Sequence, residues 1–480
     1  MKQKRISVWL LILAFLWIPN AAAAEDDFDE YIVQTNAAVS LPCAGVERLA
    51  EGIYLVQSRA LAEDIAGKDG IIEPNETVLL PDESFDEIIE AVSAPKGSAD
   101  SNETALLQAI VTTYTLNVRT IEMMDVKLFH SWGYKGSGVR VAIIDSGFDR
   151  NGEFYYPPEY AGGEKTRLDL SRVESGHDYV DGGECLADPL QKKHGTSVAA
   201  CVLAVAPEAT IIPLRCFDAG GGSKTADLIT AVNDAVTKYH CNVIHMSWGL
   251  KTNKDALYTA VRAAWEAGCV LVASSGNNEA KGTLFYPAAY EEVIGVGSVG
   301  SGFAISSFSV QSAAVSMCAL GEGTVSKTLG SSSTSQSGTS FAAPLVSGTA
   351  AVLLGAKPEL SNAEVMAELI LACDDLGAEG YDETFGYGVL NPEKLFLLSA
   401  RTKYNVMTVS GILRKNELLA AYTAEGQFCG LYVVSGDTGF TAAEVQYCQV
   451  HFRRAAIVMR YRLDDEFRAL SEAEAVHILP

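Results

Sequence analysis

The stretch VAIIDSG, residues 141–147, is typical of a buried β-strand that ends in a carboxylate. Four apolar residues precede Asp145, and a Ser–Gly pair that favours a turn follows it. Similar apolar runs recur downstream and alternate with helical patterns, which indicates a parallel sheet covered by helices on both faces. In such sheets, functional side chains gather where the strands end. We therefore predict an α/β fold with Asp145 at the functional edge of its sheet.

The alternation of strands and helices extends from residue 112 to about residue 400. We predict strands at 139–145, 210–215, 242–247, 269–275 and 292–299, and helices at 195–205, 224–238, 254–267, 340–354 and 361–373. After residue 400, short strand-like runs separated by turn signals predict a small β-rich domain over 401–480.

Two further stretches belong with Asp145: HGTSVAA at 194–200 and SGTSFAAP at 337–344. Taken singly, His194 could be structural, Ser340 could cap a core helix, and Asp145 could cap a turn. Together they supply what a serine nucleophile needs, because a base must take its proton and a carboxylate must orient the base. We predict that Ser340 is the nucleophile, His194 the general base and acid, and Asp145 the residue that orients His194.

A candidate oxyanion donor lies in ASSGNN, residues 273–278, at the end of another predicted strand. An asparagine amide donates a hydrogen bond without carrying charge, which suits an oxyanion hole. The Gly–Asn pair favours Asn277 for this role, with Asn278 and a plain turn residue as the alternatives.

The net charge and its distribution along the chain limit the possible classes of protein. The formal net charge of −24 argues against nucleic acid and anionic membranes as partners. Residues 25–111 hold nineteen acidic and four basic side chains, a composition break that marks a separate acidic segment, with strand-like runs at 52–57 and 77–81 and a helical run at 84–92.

The first 24 residues have a basic start, an apolar run at 8–18 and four alanines, which predicts a signal peptide rather than an uncut membrane anchor. We therefore expect a secreted, extracellular protein with no membrane span after signal removal. The ten cysteines show no disulfide framework, and those at 201, 241 and 269 lie in apolar stretches typical of core residues.

The motifs together resemble the subtilisin-like serine endopeptidases over residues 112–400. The resemblance is carried by HSWGYKGSGVRVAIIDSG, HMSWG, ASSGN, FYPAAY, SGTSFAAP and GYGVLNPEKL. It implies a subtilisin-like parallel sheet, the triad named above, and a pro-region at 25–111, a small α+β unit that assists folding and inhibits until cleaved. It also implies that Ser247, Trp248 and Gly249 form the edge that pairs with an extended substrate, with Trp248 as an apolar wall.

Three features of the sequence depart from the family pattern. The helix after His194 lacks the inserted loop that often binds calcium, so we expect no cofactor and no metal site there. His245 stands where the family usually has asparagine, and Ser197 stands where it commonly has histidine.

The sequence therefore predicts a secreted, monomeric, self-processing serine endopeptidase that acts on proteins or peptides, with its own pro-region as intramolecular inhibitor. Two alternatives stay open: a maturation peptidase dedicated to one leader or pro-peptide, and a binding or adhesion protein on an inactive peptidase scaffold.

Overall fold

The structure of the protein is a computed structural model. It describes residues 30–480 except 37–38, 40–43, 68–69, 81–84, 87–111, 158–159, 161–165, 330–331, 396–398, 404–405, 415–416, 423–427, 434–444, 454–456, 463–473 and 479–480. The predicted signal peptide at 1–24 lies outside the described residues.

The described elements fall into three groups along the chain. The first comprises β1 (Tyr31–Gln34), β2 (Val46–Ala50), β3 (Ile53–Val56), α1 (Arg59–Ala66), β4 (Ile71–Pro74), β5 (Thr77–Leu79) and β6 (Phe85–Asp86). The second comprises β7 (Thr112–Leu116), α2 (Val118–Met123), α3 (Val126–Ser131), β8 (Arg140–Asp145), β9 (Glu153–Tyr155), β10 (His177–Asp178), α4 (His194–Val205), β11 (Thr210–Arg215), β12 (Gly222–Lys224), α5 (Thr225–Thr237), β13 (Val243–Met246), α6 (Asp255–Glu266), β14 (Val270–Ser274), β15 (Val293–Val299), β16 (Met317–Leu320), β17 (Val325–Leu329), β18 (Ser332–Gln336), α7 (Thr339–Ala356), α8 (Asn362–Leu371), β19 (Cys373–Asp374), β20 (Val389–Leu390) and a 3-10 turn (Pro392–Leu395). The third comprises β21 (Ser399–Lys403), β22 (Val406–Arg414), β23 (Glu417–Tyr422), β24 (Phe428–Val433), β25 (Val445–Arg453), β26 (Ile457–Arg462) and β27 (Glu474–Ile478).

The second group is built on one sheet in the order β10-β11-β8-β13-β14-β15-β16-β20-β19. Its strand pairs are parallel except β19 with β20. The predicted α/β fold class is confirmed, and the ends of the predicted strands and helices agree with the structure to within about two residues. The short strands β10, β16, β19 and β20 of this sheet were not predicted from the sequence.

Helices cover both faces of this sheet because its strands are apolar on both faces. Along β8, Val141 and Ile143 pack on the side of α4 and α7, whereas Ala142 and Ile144 pack on the side of α5 and α6. Helix α7 is long and apolar enough to span a membrane, but 83% of it is buried inside the protein. It is therefore a core helix, around which α4 and the sheet are assembled.

The first group forms an antiparallel sheet in the order β2-β3-β1-β4. One face, with Tyr31 and Val33, packs on α1, and the other, with Ile32 and Ile53, joins the apolar cluster of α5 and α6. The sequence prediction of a helix at 84–92 is wrong at its start, because Phe85–Asp86 is a strand paired with β18. Residues 87–92 lie outside the described residues.

The third group is made of strands in two sheets, in the orders β21-β22-β25 and β24-β23-β26-β27. Within the described part of 399–478, neighbouring strands in these sheets pair antiparallel.

Candidate active site

Asp145 and His194 form a buried pair at the edge of the sheet. Asp145 is the last residue of β8, and His194 is the first residue of α4. His194 Nδ1 lies 2.7 Å from Asp145 Oδ1, and the two side chains are 2% and 1% exposed. Since a carboxylate only accepts, Nδ1 carries the proton and Nε2 is left as the basic nitrogen. The Ser146 amide donates to the same Oδ1 at 2.7 Å, which fixes the carboxylate.

The start of α4 is held in place by Asp188, a residue that was not predicted from the sequence. Its N-cap residue, Lys193, provides no side-chain cap, and Asp188 takes that role by accepting from the Thr196 amide at 3.0 Å and the Thr196 hydroxyl at 2.7 Å. Burial raises the pKa of Asp188 above its usual value, and the bonds from Thr196 offset only part of this rise. A side chain on Gly195 would lie 2.5 Å from the Gly147 carbonyl oxygen. The His–Gly pair thus lets α4 approach β8 closely.

Ser340 is the second residue of α7 and is fully buried. Its hydroxyl donates to the Ser247 carbonyl oxygen at 3.4 Å. The ring of its neighbour Phe341 lies 5.7 Å from the ring of His194, so the start of α7 lies beside the Asp145–His194 pair. The three predicted triad residues are therefore brought to one place, although they are separated by up to 195 positions in sequence.

Asn277 lies against the same helix start. Its Oδ1 accepts from the Thr339 amide at 3.0 Å and from the Thr339 hydroxyl at 2.9 Å. Its Nδ2 is buried and has no hydrogen-bond partner among the described residues. Asn278, the alternative, has a left-handed backbone with φ of 57°, as turn residues do. An amide held by its oxygen and with an unpaired nitrogen is a preorganised donor.

The predicted substrate edge follows β13. Ser247 donates through its hydroxyl to the Ser340 carbonyl oxygen at 2.9 Å. Trp248 is fully buried, and its indole nitrogen donates to the Ile144 carbonyl oxygen at 3.1 Å. The side chain of Trp248 belongs to the same apolar cluster as Val78. Val78 is part of the first segment, which comprises the described residues of 30–86. Trp248 is therefore a buried side chain in this structure, and its role as an apolar wall for substrate stays a prediction.

The first segment lies along this edge. Strand β5 pairs antiparallel with β12, with Val78 opposite Ser223, and the Leu80 amide donates to the Gly221 carbonyl oxygen at 3.0 Å. A cavity of about 610 Å³ is lined by residues 76–80 together with Gly249–Thr252, Asn277–Glu279 and Phe285. Val78 is buried and Leu79 is 65% exposed, which is the alternation of an extended peptide.

The described residues contain no group of three or more His, Cys, Asp or Glu side chains arranged for a metal ion. Helix α4 runs from His194 to Val205 without an inserted loop. Seven cysteines among the described residues are buried and free, in line with the prediction of core thiols: 185, 201, 216, 241, 269, 318 and 373.

A carboxylate–imidazole pair, a serine at a helix start and an unpaired amide donor are the parts of a serine hydrolase, here in the chain order Asp, His, Ser. Comparison with known families identifies the family of serine hydrolases to which the chain belongs. The chain belongs to the subtilase family, whose model matches residues 136–388.

Curated relatives agree with this assignment. Subtilisin E of Bacillus subtilis (strain 168) is 32% identical over 285 residues, which cover 56% of this chain and 69% of the relative. Subtilisin DY of Bacillus licheniformis is 33% identical over 285 residues, with 57% and 96% covered. A crystal structure of a lanthipeptide protease is 24% identical with a TM-score of 0.47, covering 58% of this chain and 93% of that one. The chain is accordingly a serine endopeptidase that acts on proteins.

Proposed function

We propose that this protein hydrolyses peptide bonds through an acyl-enzyme on Ser340. The Ser340 oxygen attacks the peptide carbonyl carbon while His194 Nε2 takes the hydroxyl proton, and His194 then gives this proton to the leaving amine nitrogen. In the second half of the reaction, a water molecule deprotonated by His194 attacks the acyl carbon, and His194 returns that proton to the Ser340 oxygen as the acid leaves. The observation that best supports these roles is the 2.7 Å bond from His194 Nδ1 to Asp145, which fixes the reactive tautomer.

Asn277 would donate through Nδ2 to the oxyanion that forms when Ser340 attacks. Its unpaired nitrogen and its two bonds from Thr339 support this role, since the donor needs no rearrangement as the charge develops. The N-terminal end of α7 adds the positive end of its helix dipole at the same place. No step of this mechanism requires a cofactor.

The first segment would serve as a pro-region that assembles the peptidase domain. The N-cap residues of helices α5 and α6 are Lys224 and Lys254, and neither caps its helix with its side chain. Asn75 Oδ1 accepts from the Ala226 amide at 3.0 Å, at the start of α5. The Glu73 carboxylate accepts from the amides of residues 255 and 256 at 3.1 and 3.0 Å, at the start of α6. The segment thereby satisfies helix ends that would otherwise stay open.

The same segment would inhibit the enzyme by lying beside its substrate edge, as the cavity that residues 76–80 line together with Gly249 supports. Leu80 is bonded to Gly221, and the next described residues, Phe85–Asp86, pair with Ser335 and Gln336, close before Ser340. The bond cut in self-processing would then lie between Leu80 and Phe85, earlier than the boundary near residue 111 that composition predicts.

The decisive experiment compares the wild type with Ser340→Ala by N-terminal sequencing, casein hydrolysis and fluorophosphonate labelling. Ser131→Ala is the control, because it changes an exposed serine whose hydroxyl bonds, among the described residues, to Leu128 of its own helix. We expect the control to process, hydrolyse and label as the wild type does, and Ser340→Ala to do none of these. Processing and hydrolysis that survive in Ser340→Ala would overturn the assignment. An unlabelled wild type would instead favour an inactive scaffold.

The same preparation tests the remaining details. A new N-terminus between residues 81 and 85 would support the processing position, and one near residue 112 would refute it. A broad cleavage profile would exclude a dedicated maturation peptidase. Export would be seen as Ser340→Ala protein in the culture medium whose N-terminus is residue 25.

A further inference from the structure

Helix α7 contains a proline whose effect falls on the backbone of the nucleophile. In an α-helix each carbonyl oxygen accepts from the amide four residues later. For Ser340 that residue is Pro344, which has no N–H to donate. The Ser340 carbonyl therefore lacks its regular intrahelical partner. The Ser247 hydroxyl donates to it instead, at 2.9 Å.

The Ser247 hydroxyl is itself oriented by His245, which is fully buried on β13. His245 Nε2 lies 2.6 Å from Ser247 Oγ, and His245 Nδ1 lies 2.8 Å from Ser347 Oγ. Ser247 has one proton, and it is used on Ser340, so Nε2 must be the donor to Ser247. Since burial lowers the pKa of His245 to about 3, the ring is neutral, and Nδ1 must accept from Ser347.

These bonds form a directional chain: Ser347 donates to His245, His245 to Ser247, and Ser247 to the Ser340 carbonyl oxygen. Its two ends are both on α7, seven residues and so about two turns apart on one face of the helix. Its middle is on β13, the strand that leads into the predicted substrate edge. One imidazole thus ties the nucleophile's helix to the substrate-binding strand.

We propose that His245 is a positioning residue for the nucleophile, acting through Ser247, and that Ser347 selects the working tautomer of His245. Without the Ser347 hydroxyl, Nδ1 could keep the ring proton. Nε2 would then accept from Ser247, and the Ser247 proton would be drawn away from the Ser340 carbonyl. This proposal rests on the proposed role of Ser340.

The test uses the full chain carrying Ser347→Ala, His245→Phe or His245→Gln. Thr349→Ala is the matched control, because it removes another buried hydroxyl of α7, which within the described part of the chain bonds to Leu345 of the same helix. We expect Ser347→Ala and His245→Phe to slow fluorophosphonate labelling and kcat about five- to tenfold, the size of one buried hydrogen bond, with little change in KM. His245→Gln, which keeps a donor and an acceptor, should recover part of the loss, and Thr349→Ala should label at the wild-type rate.

Two readouts separate positioning from a general loss of stability. The ring ¹⁵N spectrum should show His245 protonated at Nε2 in the wild type and Thr349→Ala, and at Nδ1 in Ser347→Ala. The losses from Ser347→Ala and Ser247→Ala should also be non-additive, because both break one chain.

Two results would overturn the proposal if Ser340→Ala is inactive. One is labelling of Ser347→Ala and His245→Phe at the wild-type rate, and the other is an unchanged tautomer of His245 in Ser347→Ala. If Ser340→Ala stays active, the proposed active site itself is wrong.

Discussion

Replacing Glu73 by alanine should loosen the first segment from the peptidase domain. The Glu73 carboxylate accepts from two amides at the start of α6, and this helix has no side-chain cap of its own. The substitution leaves both amides without their protein acceptor while it keeps the backbone of β4.

The expected size follows from these two bonds. Loss of a helix cap costs about 1 kcal/mol, and loss of a negative charge at a helix N-terminus costs a further ~0.5–1 kcal/mol. Together, about 1.5–2 kcal/mol corresponds to a tenfold to thirtyfold rise in the undocked population, at about 1.4 kcal/mol per factor of ten.

Hydrogen exchange of the full chain in a Ser340→Ala background measures this rise without self-cleavage. The informative amides are Thr225 and Ala226 at the start of α5, because they bond to Glu76 and Asn75 rather than to Glu73. If the segment undocks as one unit, their exchange should also rise about tenfold to thirtyfold.

Glu63→Ala is the matched control. Glu63 is 59% exposed and pairs with Arg59 on α1, which packs on the face of the first sheet opposite to α5 and α6. It should leave exchange at Ala226 unchanged. Unchanged exchange at Ala226 in Glu73→Ala, or equal changes in both variants, would refute docking through helix caps.

Three further predictions concern the site and its regulation. Asn277→Ala should lower kcat about 10²–10³-fold, the size already known for removal of an oxyanion donor in a subtilisin, whereas Asn278→Gly should not; equal losses would reject Asn277 as the donor. Burial, together with the nearby Glu30 and Glu47 of the first segment, raises the pKa of Asp227 from 3.8 to about 6. Docking of the first segment therefore takes up a proton, and the docked state should become less stable as pH rises from about 4 to about 6. Amide hydrogen exchange at Ala226, corrected for its intrinsic pH dependence, should rise over this pH range. In Asp227→Asn the corrected exchange should change little with pH. Peptide hydrolysis by the mature enzyme should persist in EDTA. If EDTA abolishes the activity and added calcium restores it, the enzyme requires calcium and the expectation is wrong.

Local sequence patterns were sufficient to predict the central sheet and its helices. The strands of residues 139–299 are long apolar runs, and the helices between them have sustained periodicity, so each segment alone favours its structure. The family assignment and the endopeptidase class are confirmed by the family model and by the curated relatives. The roles of Asp145, His194, Asn277 and Ser340 stay predictions, which the geometry supports.

What the sequence could not predict depends on contacts between distant segments. Asp188 caps α4 from six residues before His194, in a loop with no periodic pattern. The strand at Phe85–Asp86 lies in a run with helical spacing, and pairing with β18, about 250 residues later, overrides that local preference. His245 could be noticed only as a departure from the family pattern. Its bond to Ser347, 102 positions away, required the packed fold.

The caps of α4, α5 and α6 follow one physical rule. Each helix has a lysine at its N-cap position, where a short polar side chain is preferred, and no side-chain cap of its own. Asp188 caps α4 from within the peptidase domain, whereas α5 and α6 receive their caps from the first segment. The helix that bears His194 would thus keep its cap after the first segment leaves, while α5 and α6 would lose theirs. Assistance in folding can therefore be confined to helices that the proposed catalytic residues do not occupy.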